Sequence, residues 1–400
     1  MIKLHNKRKK RNALQKMLFL ILLIIPIIPI VLFIIYKDTT NKPLYTKEKQ
    51  GIETKEAEER EFSIFKKYYD KAKKLVDKMT IEEKIGQIFL VRYNANDVFF
   101  QKEYFPGGYI LFAKDFENHT KESIKQEIEK DQKLSKYPLI MAVDEEGGYV
   151  TRVSKYKAFR KEKFQSPRYY FEQGGYDLLE EVETEKASML KEIGINLNLA
   201  PVADVSINEN DFIYNRSFGK NAKETAEYIE KMIGFANKNK INSCLKHFPG
   251  YGNNVDTHTG IAIDNRSYDT FLENDFIPFK SGIAAGVPSI LVSHNIINSI
   301  DNEYPASLSE KVIKELRDNL GFTGIIMTDD LAMSAVKEYV NNHAAATRAL
   351  NAGNDMIITS NFLDMYGELQ QSLKDGSLTE ETINKAVVRI IAWKYYSNLF

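Results

Sequence analysis

Cysteine is nearly absent: the 400-residue chain has one, Cys244. A single thiol excludes a disulfide framework and any zinc site built from cysteines of one chain. Its setting in the apolar run "INSCLKHF" reads as inert packing rather than a catalytic thiol. Net charge is absent too, 55 Lys and Arg balancing 55 Asp and Glu, so the basic footprint of a nucleic-acid binder is missing and no nucleic-acid partner is expected. No Gly-x-Gly-x-x-Gly turn follows the first apolar run, and no Gly-Lys-Ser/Thr follows the glycines of "FPGYGNN". Ser243 and Ser293 lie within strand-like runs, without a Gly-x-Ser-x-Gly elbow. These gaps argue against a dinucleotide fold, a phosphate cradle and a serine nucleophile. Apolar residues are plentiful, at 43% with 12% aromatics, enough for a sizeable core and too many for general disorder.

The N-terminus carries the clearest topological pattern. A basic segment, 1–16, with Lys3, Lys7, Arg8, Lys9, Lys10, Arg11 and Lys16, precedes an unbroken apolar run from Met17 to Tyr36. About 20 apolar residues span a bilayer core as a helix, and Pro26 and Pro29 would kink it without forbidding it. The basic flank predicts a cytoplasmic start and an extracytoplasmic remainder, that is, a single-pass membrane protein. A cleaved signal peptide is the rival, but no small-x-small cleavage site follows the run. Residues 37–61 are polar and charged and read as a tether. The domain follows from 62 to 400.

Within that domain, short apolar runs alternate with amphipathic stretches. The runs fall at 86–93, 107–113, 138–144, 195–204, 241–248, 289–294, 324–330 and 355–360, and continuous apolar runs bounded by polar residues fit strands buried on both faces. Helical patterns fall at 120–135, 178–193, 222–239, 274–285, 309–320 and 341–352. A first helix lies near 63–78, and a last one follows Gly376. Thr80 and Glu83 predict a capping box. Eight such units predict an α/β fold, a (β/α)8 TIM-like barrel, with a doubly wound open sheet as the alternative. Asp144, Asp204, the Lys246–His247 pair, His294 and Asp329 each close a predicted strand at its C-terminal end. In a barrel those ends meet on one face, where active sites are built.

Three chemistries compete for the stretch "KHFPGYGNNVDTHTG", 246–260. Zinc held by His247, Asp256, His258 and His294 is one, but the helical His spacings are missing and Lys246 is an awkward neighbour for a ligand. A phosphate loop is the second and lacks its lysine motif. Carboxylate chemistry is the third: Asp329, at the end of "GIIMTD", can attack an anomeric carbon. His258 is a candidate proton carrier, because its unperturbed pKa lies near neutrality. Asp256, two residues earlier, can orient it. The bland alternatives are a structural Asp329, an exposed His258 with no role, and Asp330 as a helix cap.

"KHFPGYGNNVDTH" resembles the Lys-His-Phe-Pro-Gly-His-Gly…Asp-Ser-His signature of family 3 glycoside hydrolases of the β-N-acetylhexosaminidase type. "MTIEEKIGQIF", "DEEGGYVTR", "GINLNLAPVADV", "NRSFG", "PASLS", "LGFTGIIMTDDLAMSAV" and "AGNDMI" match in order over roughly 65–400. The resemblance implies Asp329 as nucleophile and His258 as acid/base, partnered by Asp256. It implies Asp144, Arg152, Arg216, Lys246 and His247 as residues that bind the terminal N-acetylglucosamine. It further implies a single barrel with retaining, exo-acting hydrolysis of β-linked N-acetylglucosamine, and neither metal nor organic cofactor. Tyr251 stands where the pattern has His, Thr257 where it has Ser, Glu145 where Gln is common and Tyr149 where Arg is common. The missing charge at Tyr149 leaves the grip on an anionic aglycone open. With the anchor, the expected substrates are peptidoglycan-derived or other extracytoplasmic glycans. A phosphorylase or another β-glycosidase of the family, and an inactive glycan-binding barrel, are the remaining alternatives.

Overall fold

Eight short parallel strands close into one sheet. In the computed structural model, which describes residues 63–95, 100–254, 262–333, 336 and 344–400, ten strands follow in chain order. They are β1 (Phe89–Arg92), β2 (Gly108–Leu111), β3 (Ile140–Val143), β4 (Leu197–Asn198), β5 (Asn242–Phe248), β6 (Ile263–Asp264), β7 (Ser289–Val292), β8 (Ile296–Ile297), β9 (Ile325–Thr328) and β10 (Ile357–Thr359). The order around the sheet is β10-β1-β2-β3-β4-β5-β7-β9. A parallel bridge between Met327 and Met356 joins its two ends, with Thr328 N donating to Met356 O at 3.1 Å. The closed order rules out the open-sheet alternative: this is a parallel eight-stranded barrel with helices outside, consistent with (β/α)8. β6 and β8 form a separate two-stranded pair beyond the strand ends, which periodicity did not indicate.

Each of the eight runs expected as strands holds one. All eight are buried along their whole length or nearly so, as strands between a packed interior and a ring of helices must be. β4 is far shorter than the run 195–204, because the Pro201 nitrogen cannot donate to a ladder. Pairing resumes only as a bridge between Val202 and Lys246. The helices begin where short polar side chains can take up free backbone N–H groups. Thr120, Ser166, Asn221 and Thr379 do so, and Thr80 with Glu83 forms the expected capping box.

Three helices depart from expectation. The one expected over 178–193 already starts at Pro167 and is broken at Gly174 and Gly175. The 309–320 segment is helical only over Glu310–Lys314, then widens into a π turn over Glu315–Asn319. An additional helix spans Phe362–Asp375, burying Phe362, Met365, Tyr366 and Leu369. Those residues have the i, i+3, i+4, i+7 spacing of a helix face, so the chain carries the signal. The last helix, Glu380–Tyr396, lies against the opening helix and the bottom of the barrel. There the indole N–H of buried Trp393 donates to Asn242 Oδ1 at 3.0 Å. Among the described residues no helix is long and apolar enough to cross a membrane. The expected anchor over 17–36, the tether over 37–61, and both Asp256 and His258 lie outside the described residues.

Candidate active site

The C-terminal ends of β3, β4 and β5 carry a continuous chain of charged side chains. β5 ends on Lys246, His247 and Phe248, with cis peptides at Lys246–His247 and Phe248–Pro249. The Lys246 ammonium, almost wholly buried, lies 2.6 Å from Asp144 Oδ1 and 2.6 Å from Glu146 Oε1. Glu146 in turn accepts two hydrogen bonds from Arg216, at 2.8 and 3.1 Å. Arg216 Nη2 also lies 3.1 Å from His247 Nε2. A guanidinium can only donate, so His247 Nε2 accepts, and the ring proton sits on Nδ1, facing Asp204 Oδ2 at 2.7 Å. Asp204 is buried and also takes the backbone N–H groups of His247 and Tyr251. Arg152 completes the row, 3.9 Å from Asp144 Oδ2.

Burial opposes the charges of Glu146, Lys246 and Arg216, and their neighbours overrule it. Desolvation would raise the Glu146 pKa, but Arg216 and Lys246 hold the carboxyl well below the usual range. Desolvation would likewise lower the Lys246 pKa, yet Asp144 and Glu146 raise it, so the ammonium stays charged. Arg216 is raised in the same way, mainly through Glu146. A buried row of alternating charge can hold only those charges that are paired. Its hydrogen-bonding groups are therefore held in fixed positions.

All five residues expected to bind sugar thus fall in one network: Asp144, Arg152, Arg216, Lys246 and His247. Two members, Glu146 and Asp204, were not among the expected site residues. Asp204 is visible in the chain as a strand-end acid. For Glu146 the only trace is the third acid of "DEEGG". Glu145 serves the backbone instead. Fully buried, it accepts the N–H groups of Arg152, Val153 and Ser154, at 2.8, 2.7 and 3.3 Å. It thereby fixes the turn from which Arg152 extends. Tyr149, 75% exposed, stands on the rim of that loop.

Asp329 follows β9, its backbone N–H bonded to Val292 O at 3.0 Å and its Oδ1 accepting from Asp330 N at 2.8 Å. Asp330 is structural: its Oδ1 takes Ala332 N and Ser360 N, pinning the next turn to the end of β10. His294, considered for zinc, is fully buried, with Nδ1 at 2.8 Å from Ser307 Oγ and Nε2 at 3.1 Å from the Asp330 carbonyl. It braces two loops. Cys244 is buried, and burial pushes its thiol up to about 12, which suits packing and not nucleophilic attack.

The segment that follows His247 is tied down as far as Asn254. Tyr251 is buried, with its ring edge-on to His247 at 5.2 Å and a further ring contact to Phe212. It is therefore an aromatic wall behind the histidine. Arg266 reaches back to the Gly250 carbonyl at 3.2 Å while pairing with both Asp264 and Asp275. Burial pushes the Asp275 pKa up to about 7, against the pull of Arg266. Asn254 Nδ2 donates to Asp264 Oδ2 at 2.6 Å. Gly250 has φ +127°, and a Cβ there would meet Asp275 Oδ1 at 2.2 Å, so no larger residue fits.

The family model described as "Glycosyl hydrolase family 3 N terminal domain" matches residues 80–393. A β-hexosaminidase of Methylobacillus flagellatus is 33% identical over 277 residues, which are 67% of this chain and 77% of that protein. Among solved structures, a glycoside hydrolase family 3 β-N-acetylglucosaminidase from Paenibacillus sp. is 25% identical with a TM-score of 0.75, over 80% of this chain and 63% of that one. A β-N-acetylhexosaminidase from Beutenbergia cavernae shares the fold with a TM-score of 0.71 at 23% identity, over 79% of this chain and 99% of that one. Strand-end polar groups on a parallel barrel are where such folds build active sites, and with these relatives the chain is a glycoside hydrolase. It belongs to glycosyl hydrolase family 3.

Proposed function

We propose that the protein is a retaining, exo-acting β-N-acetylglucosaminidase. The observation that carries this reading is the convergence of Asp144, Arg152, Arg216, Lys246 and His247 into one buried, charge-paired row, in a chain whose relatives include β-hexosaminidases. Fixed donors and acceptors of this kind suit the hydroxyls of a terminal sugar and fit a pocket that closes at the non-reducing end.

In this mechanism Asp329 attacks the anomeric carbon as the bond to the leaving oxygen breaks, forming a glycosyl-aspartate. His258 gives its proton to that oxygen, with Asp256 supporting the imidazolium. A water then gives a proton back to His258, attacks the same carbon and releases Asp329. The roles of His258 and Asp256 rest on the motif alone. We further propose, from the basic segment 1–16 and the apolar run 17–36, that the domain from 62 onward works outside a cell membrane on wall-derived or environmental glycans.

A chromogenic β-N-acetylglucosaminide assayed with and without phosphate tests the reaction. Free N-acetylglucosamine, first released as the β-anomer and independent of phosphate, is expected; a sugar phosphate product would make the enzyme a phosphorylase. Asp329→Asn is expected to lower kcat at least about 1,000-fold with the fold intact. His258→Ala should slow substrates with poor leaving groups most, since protonation assists those most. Equal loss for good and poor leaving groups would remove His258 from the role of acid.

A further inference from the structure

We propose that the loop after β3 is a docking strip for a linear acidic polysaccharide, a binding surface separate from the buried charge row. The loop covers 154–164, "SKYKAFRKEKF". It holds five cations, Lys155, Lys157, Arg160, Lys161 and Lys163, against one acid, Glu162. The chain as a whole has no net charge, so this concentration of one sign is local. The inference goes beyond the proposed hydrolysis, because binding here requires no turnover.

The loop has a built shape. Its ends are joined: Phe164 N donates to Ser154 Oγ at 3.1 Å, and Gly148 N donates to Phe164 O at 2.9 Å. Phe159 and Phe164 are buried, and Phe159 stands edge-on to Phe116 at 5.7 Å. Short loops closed at the base and filled by their own side chains keep their form. Arg160 belongs to this framework. It lies over the Phe164 ring at 4.2 Å and pairs with Glu185 through two bonds, at 2.8 and 2.9 Å. The Lys163 ammonium donates to the Gly148 carbonyl at 3.0 Å.

The remaining lysines face outward. Lys155, Lys157 and Lys161 are exposed and make no hydrogen bond or ion pair among the described residues. Lys155 only lies over the Tyr156 ring, 5.9 Å from its centre. Of the acids nearby, Glu185 is held by Arg160 and Asp115 by Arg92, which leaves Glu162 and, close to Tyr156, Glu117. Like charges crowded on a fixed loop repel over a Debye length of about 8 Å. A string of negative charges laid along the loop relieves that repulsion. Lysine is a compact, hydrated point charge that sets no single geometry, so the strip suits a repeating polymer better than one clamped anion. Position favours a glycan over a lipid surface. The loop follows β3, on the face that carries the charge row, and a bilayer pressed against it would cover the mouth. The first described residues lie at the other end of the barrel, where Ile64 N donates to Thr323 Oγ1 at 3.3 Å just ahead of β9. A linear polymer can lie beside the mouth and leave it open.

The test measures binding of the full chain, in non-ionic detergent, to labelled polygalacturonate, with neutral dextran as control. The wild type is expected to bind the acidic polymer and not dextran, with affinity falling at least about tenfold between about 50 and 300 mM salt. Lys155→Gln/Lys157→Gln/Lys161→Gln is expected to lose at least about tenfold in affinity at low salt. Lys74→Gln/Lys223→Gln/Lys231→Gln makes the same charge change at exposed helix positions and is expected to stay within about twofold. Both variants should keep the wild-type melting temperature and the wild-type kcat/KM on a neutral aryl β-N-acetylglucosaminide. A wild type that ignores polygalacturonate overturns the strip. So does an equal loss in both variants, which would trace binding to overall charge. Flotation with phosphatidylcholine vesicles, with and without phosphatidylglycerol, is the lipid arm. A phosphatidylglycerol-dependent gain that the loop variant loses would assign the surface to lipid and overturn the proposal. A wild type that binds the polymer but hydrolyses no aryl glycoside keeps the strip and removes the hexosaminidase reading, so the two fail separately.

Discussion

The Lys246 ammonium and the Glu146 carboxylate lie 2.6 Å apart, with about 2% and 4% of their side chains exposed. Neither charge could be held there alone, and Glu146 also neutralises Arg216. Glu146→Gln is therefore expected to destabilise the domain by about 3–5 kcal/mol, the usual result of stranding a buried charge. Urea unfolding at neutral pH measures it. The pH sign follows from the lowered Glu146 pKa. Its contribution is complete above the unfolded value, near 4.5, and is lost as pH falls from there toward the depressed folded value. The gap between wild type and variant should accordingly narrow on acidification. A gap that widens would contradict the pairing.

Arg266 ties Asp264, Asp275 and the Gly250 carbonyl together, on the two sides of the stretch that holds Asp256 and His258. Arg266→Lys keeps the charge but cannot make the forked pairs. The expected outcome is a fall in kcat of roughly tenfold or more, with KM changed less than threefold. A purely structural role would lower the melting temperature and the active fraction while leaving kcat per folded molecule intact. Active-site titration alongside the kinetics separates the two.

Lys394 is fully buried, with its ammonium nitrogen 2.7 Å from Gln87 Oε1. Burial lowers its pKa to about 7. Below its ordinary value, near 10.5, the unfolded chain takes up the proton first, so this group costs stability progressively as pH falls from about 10.5 to about 7 and no more below that. Lys394→Met is expected to stabilise the domain by a few kcal/mol at pH 7, with the gain shrinking toward pH 10. Denaturant unfolding of both proteins at pH 7, 8.5 and 10 reads this directly. A constant difference across that range would show that Lys394 stays charged in the fold.

Most of the barrel is legible in the chain because its elements are local. Runs such as "PLIMAVD" and "GIIMTDD" announce buried strands by composition, and the Thr80–Glu83 box needs only residues three apart. The differences involve longer range or subtler cues. β4 is short because Pro201 cannot join a ladder whose partner lies about 45 residues on. The helix over Phe362–Asp375 has the right spacing but was not among the expected helices. Glu146 is one of two adjacent glutamates, and composition alone does not say which one faces Lys246 and which takes the backbone of Arg152.

By itself the sequence determined which groups are available and which end of each strand they occupy: Asp144 after β3, Lys246 and His247 on β5, Asp329 after β9. It also determined the family, through motifs that keep their order along the chain. Tertiary structure alone decided who pairs with whom. Lys246 meets Asp144 across 102 positions and Arg216 meets Glu146 across 70, contacts made only when the sheet closes. Tertiary packing also seats Tyr251, a departure from the motif, against Phe212 while it lies edge-on to His247. The physical reason is common to these cases. Strand periodicity is local, whereas pairing buried charges requires side chains that only the closed barrel brings within hydrogen-bond distance.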